Sequence, residues 1–361
     1  MYRNHTDYET AARRLLPEGP LGYFAGGSLD ESTVAENRAA LARIKLRWRA
    51  LAGITAPDTS VDLLGTRLAY PVIVAPVAFQ CMAHPDGETA MARAVAAAGS
   101  LMVLSTTSTC PVPDVATASR GAFWFQLYMM KDRGITTELV RRAESAGARA
   151  IALTADVPAW GRRERDMRSN FALPAHLVIH SLVIPGREDF YDGRFRSDLA
   201  AFIGSRLDFG LTWEDVAWLR SITNLPVVVK GIGHPDDADE AVSSGASAVW
   251  VSNHGGRQLD SAAGVADVLP SIAEAVSGRV PIIADGSVCR GTDVVKLLAL
   301  GATTAAVGRS ALWALAAGGE EGATSMLSTL HLEVTNALSL CGCQNIRAVS
   351  KSIIFDQPTN R

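Results

Sequence analysis

The stretch DADEAVSSGASAVWVSNHGGRQLD, residues 237–260, holds one complete structural unit. Its first part, DADEAVSSG, reads as an amphipathic helix closed by Gly245, because a residue without Cβ is comfortable just past a helix end. The apolar run from Ser247 to Val251 then suits a strand buried on both faces. That strand runs straight into a glycine turn carrying His254 and Arg257, a base and a fixed cation three residues apart. Taken alone, such a turn is as readily a solvated surface loop. The remainder of the chain separates the two readings.

The same unit recurs. Apolar strand segments are PVIVAPV from Pro71, SLMVLS from Ser100, AFWFQLY from Ala122 and RAIALTA from Arg149. LPVVVKG from Leu225, SAVWVSN from Ser247, VPIIADG from Val280 and TAAVGR from Thr304 follow. Helical patterns such as TAMARAVAAAG, TELVRRAESAG and TDVVKLLALG separate them, each ending in glycine. Eight parallel strands alternating with helices predict an α/β fold of the closed (β/α)8, or TIM, barrel type. An open doubly wound sheet is the alternative, but it usually carries GxGxxG after its first strand. Here that strand ends in APVAFQ. The chain is expected to be one domain over residues 1–361. Residues 1–65 form a helical cap, with helices from near Asp7 and Asp30, and residues 66–361 form the barrel. After the fourth strand, residues 157–223 are far longer than an ordinary connection, as a lid loop would be.

The 361 residues are 48% apolar and 20% charged, with a net charge of −3. That balance gives a large core and no electrostatic case for nucleic acid or an anionic membrane. No apolar run is long enough to span a bilayer, and MYRNHTDYETAARRLL lacks a signal peptide's apolar core. Five thinly spread cysteines suit a reduced, cytoplasmic protein. The CxC pair Cys341 and Cys343 has no second pair or nearby histidine, so no metal site is expected.

Barrel chemistry gathers at the C-terminal ends of the strands. Those ends carry Pro76, Val77 and Ala78; Ser105 with Thr107; Gln126 with Tyr128; and Thr154 with Asp156. In the second half they carry Lys230; Ser252 with His254 and Arg257; Asp285, Gly286 and Ser287; and Gly308 with Arg309. A lysine closing the apolar run LPVVVK is hard to explain as solvation. GR opening a helix after the eighth strand suits a phosphate, which backbone N–H groups and an arginine would hold.

If that phosphate belongs to flavin mononucleotide, the other residues gain roles. Gln126, Thr154, Ser105 and Ser252 would hydrogen-bond the ring edge and ribityl chain. Lys230 would stabilise negative charge on the reduced ring. His254 is the natural base and Asp156 the carboxylate that stabilises its imidazolium. Arg257 and Arg163 offer planar forks for a substrate carboxylate, and Tyr128 and Tyr23 offer hydroxyls.

Over nearly its whole length the chain resembles the FMN-dependent α-hydroxy acid oxidase and dehydrogenase family. The motifs are VAPVAFQCMAHPDGE, WFQLY, LTADVPAWGRRERDMR, LPVVVKG, SNHGGRQLD, ADGSVCRGTD and VGR. The resemblance implies bound FMN and oxidation of an (S)-2-hydroxy acid to the 2-oxo acid. It makes His254 the base, Asp156 its partner and Lys230 the lysine beside the flavin. Arg257 and Arg163 become the carboxylate clamp, Tyr23 and Tyr128 the hydroxyl bearers. It also implies a homotetramer or larger homo-oligomer.

Two departures from the family stand out. Thr107 replaces the tryptophan that glycolate oxidases place over the substrate, which leaves room for a bulky group. With FAGG and APVAFQ, this makes the chain look most like the mandelate and 4-hydroxymandelate oxidase branch. The pattern DGGxR appears as DGSVC, with Ser287 and Cys289 in place of glycine and the phosphate-binding arginine. Weaker FMN binding is therefore expected, with Arg290 as a substitute cation. O2 is the simplest electron acceptor for a chain without a fused haem domain. The alternatives are a soluble dehydrogenase, a flavoenzyme acting on an amine, amino acid or biosynthetic intermediate, and a binding protein without activity.

Overall fold

Alternation along each strand, combined with closure of the sheet, sends every second side chain into the barrel. The computed structural model of the protein describes residues 2–187, 190–191 and 199–355. A short antiparallel hairpin comes first, β1 (Val61–Leu63) and β2 (Thr66–Leu68). Eight parallel strands follow: β3 (Val72–Val74), β4 (Met102–Ser105), β5 (Phe123–Leu127), β6 (Ile151–Thr154), β7 (Val227–Ile232), β8 (Ala248–Val251), β9 (Ile282–Ala284) and β10 (Thr304–Val307). They pair in chain order, and β10 returns to β3 to close the ring. Seven of the strands fall within an apolar segment read from the sequence and β7 runs one residue past its segment, to Ile232, so the barrel expectation holds.

Two cores result. Ile73, Val103, Trp124, Ala152, Val228, Ala248, Trp250, Ile283 and Ala306 pack inside the barrel. The alternate residues, among them Val72, Leu104, Phe125, Leu153, Val229 and Val249, pack outward against the helices. The segments read as uniformly apolar because both faces are buried.

The cap departs from the expectation of helices throughout residues 1–65. Helices span His5–Leu15, Glu18–Ala25 and Ser32–Arg43, after which the chain is irregular up to the β1–β2 hairpin. The stretch VDLLGTRL alternates at period two and turns at Leu64 and Gly65, both with positive φ (50° and 75°). That is the geometry a two-residue hairpin turn needs. Leu63 and Leu68 join the inner core beside Leu101 and Ala150, at the strands' starting ends, and so floor the barrel.

The first helix packs on the long C-terminal helix Arg309–Cys341, which breaks at Gly318–Gly319. The expected lid contains short helices over Glu164–Arg168 and Leu199–Arg206, and Trp213–Ile222 leads into β7. Leu177, Ile179, Leu182 and Ile184 of this segment are buried. Residues 188–189 and 192–198 of the lid lie outside the described residues. None of the described helices is long and apolar enough to cross a membrane.

Leu63→Ala removes a fully buried side chain from the floor, far from the mouth. It is expected to lower unfolding free energy by about 2–5 kcal/mol, the usual range for such a cavity. Denaturant unfolding of both proteins measures this, and a loss within about 0.5 kcal/mol, the range of an inert surface change, would mean that the hairpin does not pack as a floor.

Candidate active site

The inward stripe turns polar at the mouth. Stepping two residues beyond Val103, Trp124, Ala152, Val228, Trp250 and Ile283 gives Ser105, Gln126, Thr154, Lys230, Ser252 and Asp285. All six are buried. Buried polar groups need partners, and here they find one another. Gln126 donates from Nε2 to Thr154 Oγ1 (2.9 Å) and accepts at Oε1 from Ser105 Oγ (3.2 Å) and the Thr106 amide (3.1 Å). Lys230 Nζ donates to Ser252 Oγ (3.0 Å), which donates to Asp285 Oδ2 (2.8 Å). Trp250 Nε1 also donates to that oxygen (3.1 Å). Burial raises the Asp285 pKa, and Lys230 opposes the rise.

Above this layer, His254 stands in the left-handed region at φ 57°, which directs its ring back over the mouth. Its Nδ1 lies 3.0 Å from Asp156 Oδ1. Asp156 approaches because Gly231 has no side chain. A Cβ there would lie 2.5 Å from the Asp156 Cβ, at a φ of 109°. Burial lowers the His254 pKa while Asp156 works to raise it. Asp156 is held below the usual carboxylate range by His254 and Lys230, although burial pushes the other way.

The substrate side is cationic. Arg257 donates from Nη1 to the carbonyls of Tyr23 (2.5 Å) and Gly26 (2.8 Å), and its guanidinium lies 4.8 Å over the Tyr23 ring. Arg163 is buried and stacks on Trp160 at 4.3 Å, with its Nε unpaired among the described residues. Burial and the nearby Arg257 charge lower the Arg163 pKa to about 10. Tyr128 has its hydroxyl pKa pushed up, first by burial and then by Asp156.

These groups open onto one cavity of about 500 Å³. It is lined by Tyr23, Pro76, Val77, Ala78, Ser105, Thr107, Gln126, Tyr128, Thr154, Arg163, Lys230, His254, Arg257, Asp285, Gly286, Ser287, Gly308 and Arg309. Two expected residues stand behind the wall instead. Asp156 supports His254, as expected of a partner. Ser252, expected to contact the cofactor, is not in the cavity lining; its hydroxyl accepts from Lys230 Nζ and the His254 amide and donates to Asp285 Oδ2. Arg290, expected as a substitute cation, is paired with Glu333 (2.6 Å). Sequence reading missed the apolar lining from Met130, Ile179, Leu182, Ile203 and Leu207, since such residues carry no chemical pattern. It also missed His5, Glu9 and Arg38 at the cavity's far end.

The lining suits FMN. Asp285 Oδ1 and Arg163 Nε are buried polar atoms without hydrogen-bond partners among the described residues. At the other end, the helix from Arg309 presents its first amides, which have no intrahelical acceptor. Ser287 holds φ 62°, a left-handed turn that explains why glycine suits this position.

The chain's residues 12–356 match the model of the FMN-dependent dehydrogenase family. Glycolate oxidase of Spinacia oleracea is 42% identical, across 99% of this chain and 98% of that one. L-lactate oxidase of Nostoc is 43% identical, across 97% of each. A solved structure of mandelate oxidase with (S)-4-hydroxymandelic acid superposes with a TM-score of 0.91 at 41% identity, covering 96% of this chain and 97% of that one. With the match spanning nearly all of both partners, the chain belongs to the FMN-dependent dehydrogenase family, and FMN is its cofactor.

Proposed function

We propose that the protein oxidises an (S)-2-hydroxy acid bearing a bulky, mandelate-like group to the 2-oxo acid, with O2 as electron acceptor and hydrogen peroxide as by-product. The observation that carries this is the partly buried His254–Asp156 pair facing two arginines across one cavity. FMN, when bound, accepts the two electrons. Gln126, Thr154, Ser105, Lys230 and Asp285 would hold its ring and ribityl chain, with Gly286, Ser287, Gly308 and Arg309 around its phosphate.

The residues divide the rest of the work. Arg163 and Arg257 bind the carboxylate in a site shielded from bulk solvent by the burial of Arg163, where each charge–charge contact is worth more than in solution. His254 takes the proton, and Asp156 holds the ring's Nδ1 side and stabilises the imidazolium. Tyr23 and Tyr128 bound the same space and orient the hydroxy acid. Thr107 and the apolar wall from the lid leave room for an aromatic ring, and the likeness to mandelate oxidase supports that size. A preference for 4-hydroxymandelate, assembly into a homotetramer or larger homo-oligomer, and a cytoplasmic location belong to the same reading.

The direct test is anaerobic flavin bleaching with glycolate, lactate, both mandelates and 4-hydroxymandelate. (S)-Mandelates should bleach fastest, and air should restore the colour within seconds. Bleaching by amino acids alone would overturn the substrate class, and a reoxidation half-life of many minutes would overturn the oxidase assignment. Thr107→Trp should depress mandelate turnover while sparing glycolate.

His254→Asn is expected to bind FMN normally, since asparagine tolerates the left-handed backbone. Substrate-driven bleaching should slow by at least about a hundredfold, as loss of a general base implies. Wild-type bleaching in this variant would remove His254 from the base role.

The pH profile follows from the same pair. The base acts when neutral, so flavin reduction should be level near pH 7 and fall as pH drops through a His254 pKa below 6.5. Asp156→Asn removes the charge that raises that pKa. Its acid limb should therefore move to still lower pH, while the plateau falls because the imidazolium loses its support. Measured limbs that move the opposite way would contradict the coupling.

A further inference from the structure

The far end of the cavity, beyond Arg309, is walled by His5 and Glu9 of the first helix and by Ser287–Arg290. Its arginines are engaged. Arg38 binds Asp293 (2.6 Å) and the Ser287 carbonyl (3.3 Å), and Arg13 binds Glu9 (2.6 Å). Arg290 is held by Glu333. Arg309 donates to the carbonyls of Phe24 (3.0 Å), Gly255 (2.9 Å) and Gly26 (3.0 Å).

His5 is different. Its Nε2 lies 3.1 Å from Glu9 Oε2, while its Nδ1 is buried with no hydrogen-bond partner among the described residues. The ring lies against the Cys289 thiol. Burial works against its charge, yet Cys289 and Glu9 together raise its pKa to about 9. The Cys289 backbone is pinned, its amide donating to Asp293 Oδ2 (3.1 Å). An arginine-length side chain leaving this point toward the cavity would meet the His5 ring. The short thiol and the imidazole together fill the room of one long cation.

We propose that His5 is the cation that binds the terminal phosphate of FMN in this chain, reaching from the N-terminal helix into the space that the short Cys289 leaves open. This rests on the reading that places the phosphate beside Gly308, Arg309 and the 286–289 turn. Donation from Nδ1 to a phosphate oxygen would satisfy a buried orphan with a charge-assisted hydrogen bond. Glu9 keeps Nε2 occupied and the ring oriented, and Arg13 offsets the Glu9 charge. The weakened cofactor binding expected from Cys289 alone is then offset from another part of the chain.

The test compares FMN with riboflavin, which lacks the phosphate, by fluorescence titration of the apoprotein. The ratio of the two dissociation constants isolates the phosphate's contribution. Wild type should prefer FMN strongly. His5→Gln should cut that preference about tenfold to a hundredfold, the range for a lost charge-assisted bond, with riboflavin affinity unchanged. His5→Lys should keep part of it, and adding Cys289→Arg to His5→Gln should restore most of it. A preference left intact in His5→Gln overturns the proposal, as does an equal loss for both ligands, which would mark a structural role. If wild type itself binds the two equally, the phosphate's placement is wrong and the proposal falls with it.

Discussion

The loop from Val251 to Asp260 is the point at which cap, lid and barrel are fastened together. Asp260 Oδ1 accepts from the Thr33 amide (2.9 Å) and Ser32 Oγ (2.8 Å), and so caps the third helix from a distant part of the chain. Asn253 and Asn37 exchange amide hydrogen bonds of 2.8 and 2.9 Å. Gln258 donates to the carbonyls of Asp156 (2.9 Å) and Ala159 (2.8 Å) at the start of the lid. Arg257 closes onto the second helix. With its ends held in this way, the turn keeps His254 in a backbone conformation that a free loop would rarely populate. The base is thus positioned by Asp260, Asn253, Asn37 and Gln258, which do not line the cavity, and by Arg257, which does.

Beneath that loop, electrostatics depends on depth. Lys230 and Asp285 are buried and share Ser252, so neither charge is isolated, and the lysine keeps a defined position at the mouth. Isolated charges at that depth would cost several kcal/mol each. Two arginines, the buried Arg163 and the half-buried Arg309, carry pKa values lowered to about 10 by desolvation first and by the neighbouring Arg257 charge next. An anion entering between them relieves both strains. The cavity is therefore cationic toward both ends, with Arg163 and Arg257 on one side and Arg309 on the other.

The barrel was legible in the sequence because each strand is bounded by glycine or proline and buried on both faces. Strand ends carrying Lys230, Asp285 and Gln126 were legible because polar residues closing apolar runs are rarely neutral accidents. Mouth position also follows from parity: Lys230 shares a face with Val228, and Gln126 with Trp124. The hairpin over Val61–Leu68 was not separated from the helical cap, since strands of three residues give too few alternations to stand out from a loop.

What the sequence by itself determined is local: which residues form strands, where each helix stops, and which side chains reach the mouth. Tertiary structure decided what those side chains do once there. Ser252 and Asp156 lie at strand ends like their neighbours, but their side chains are engaged by Lys230 and His254. Arg290 lines the far end of the cavity yet is taken by Glu333. His5 sits 284 positions before Cys289, and only the packing of the first helix beside the turn after β9 brings them together. Spacing along a chain reports contacts within an element, whereas contacts between elements depend on how helices pack around the closed barrel.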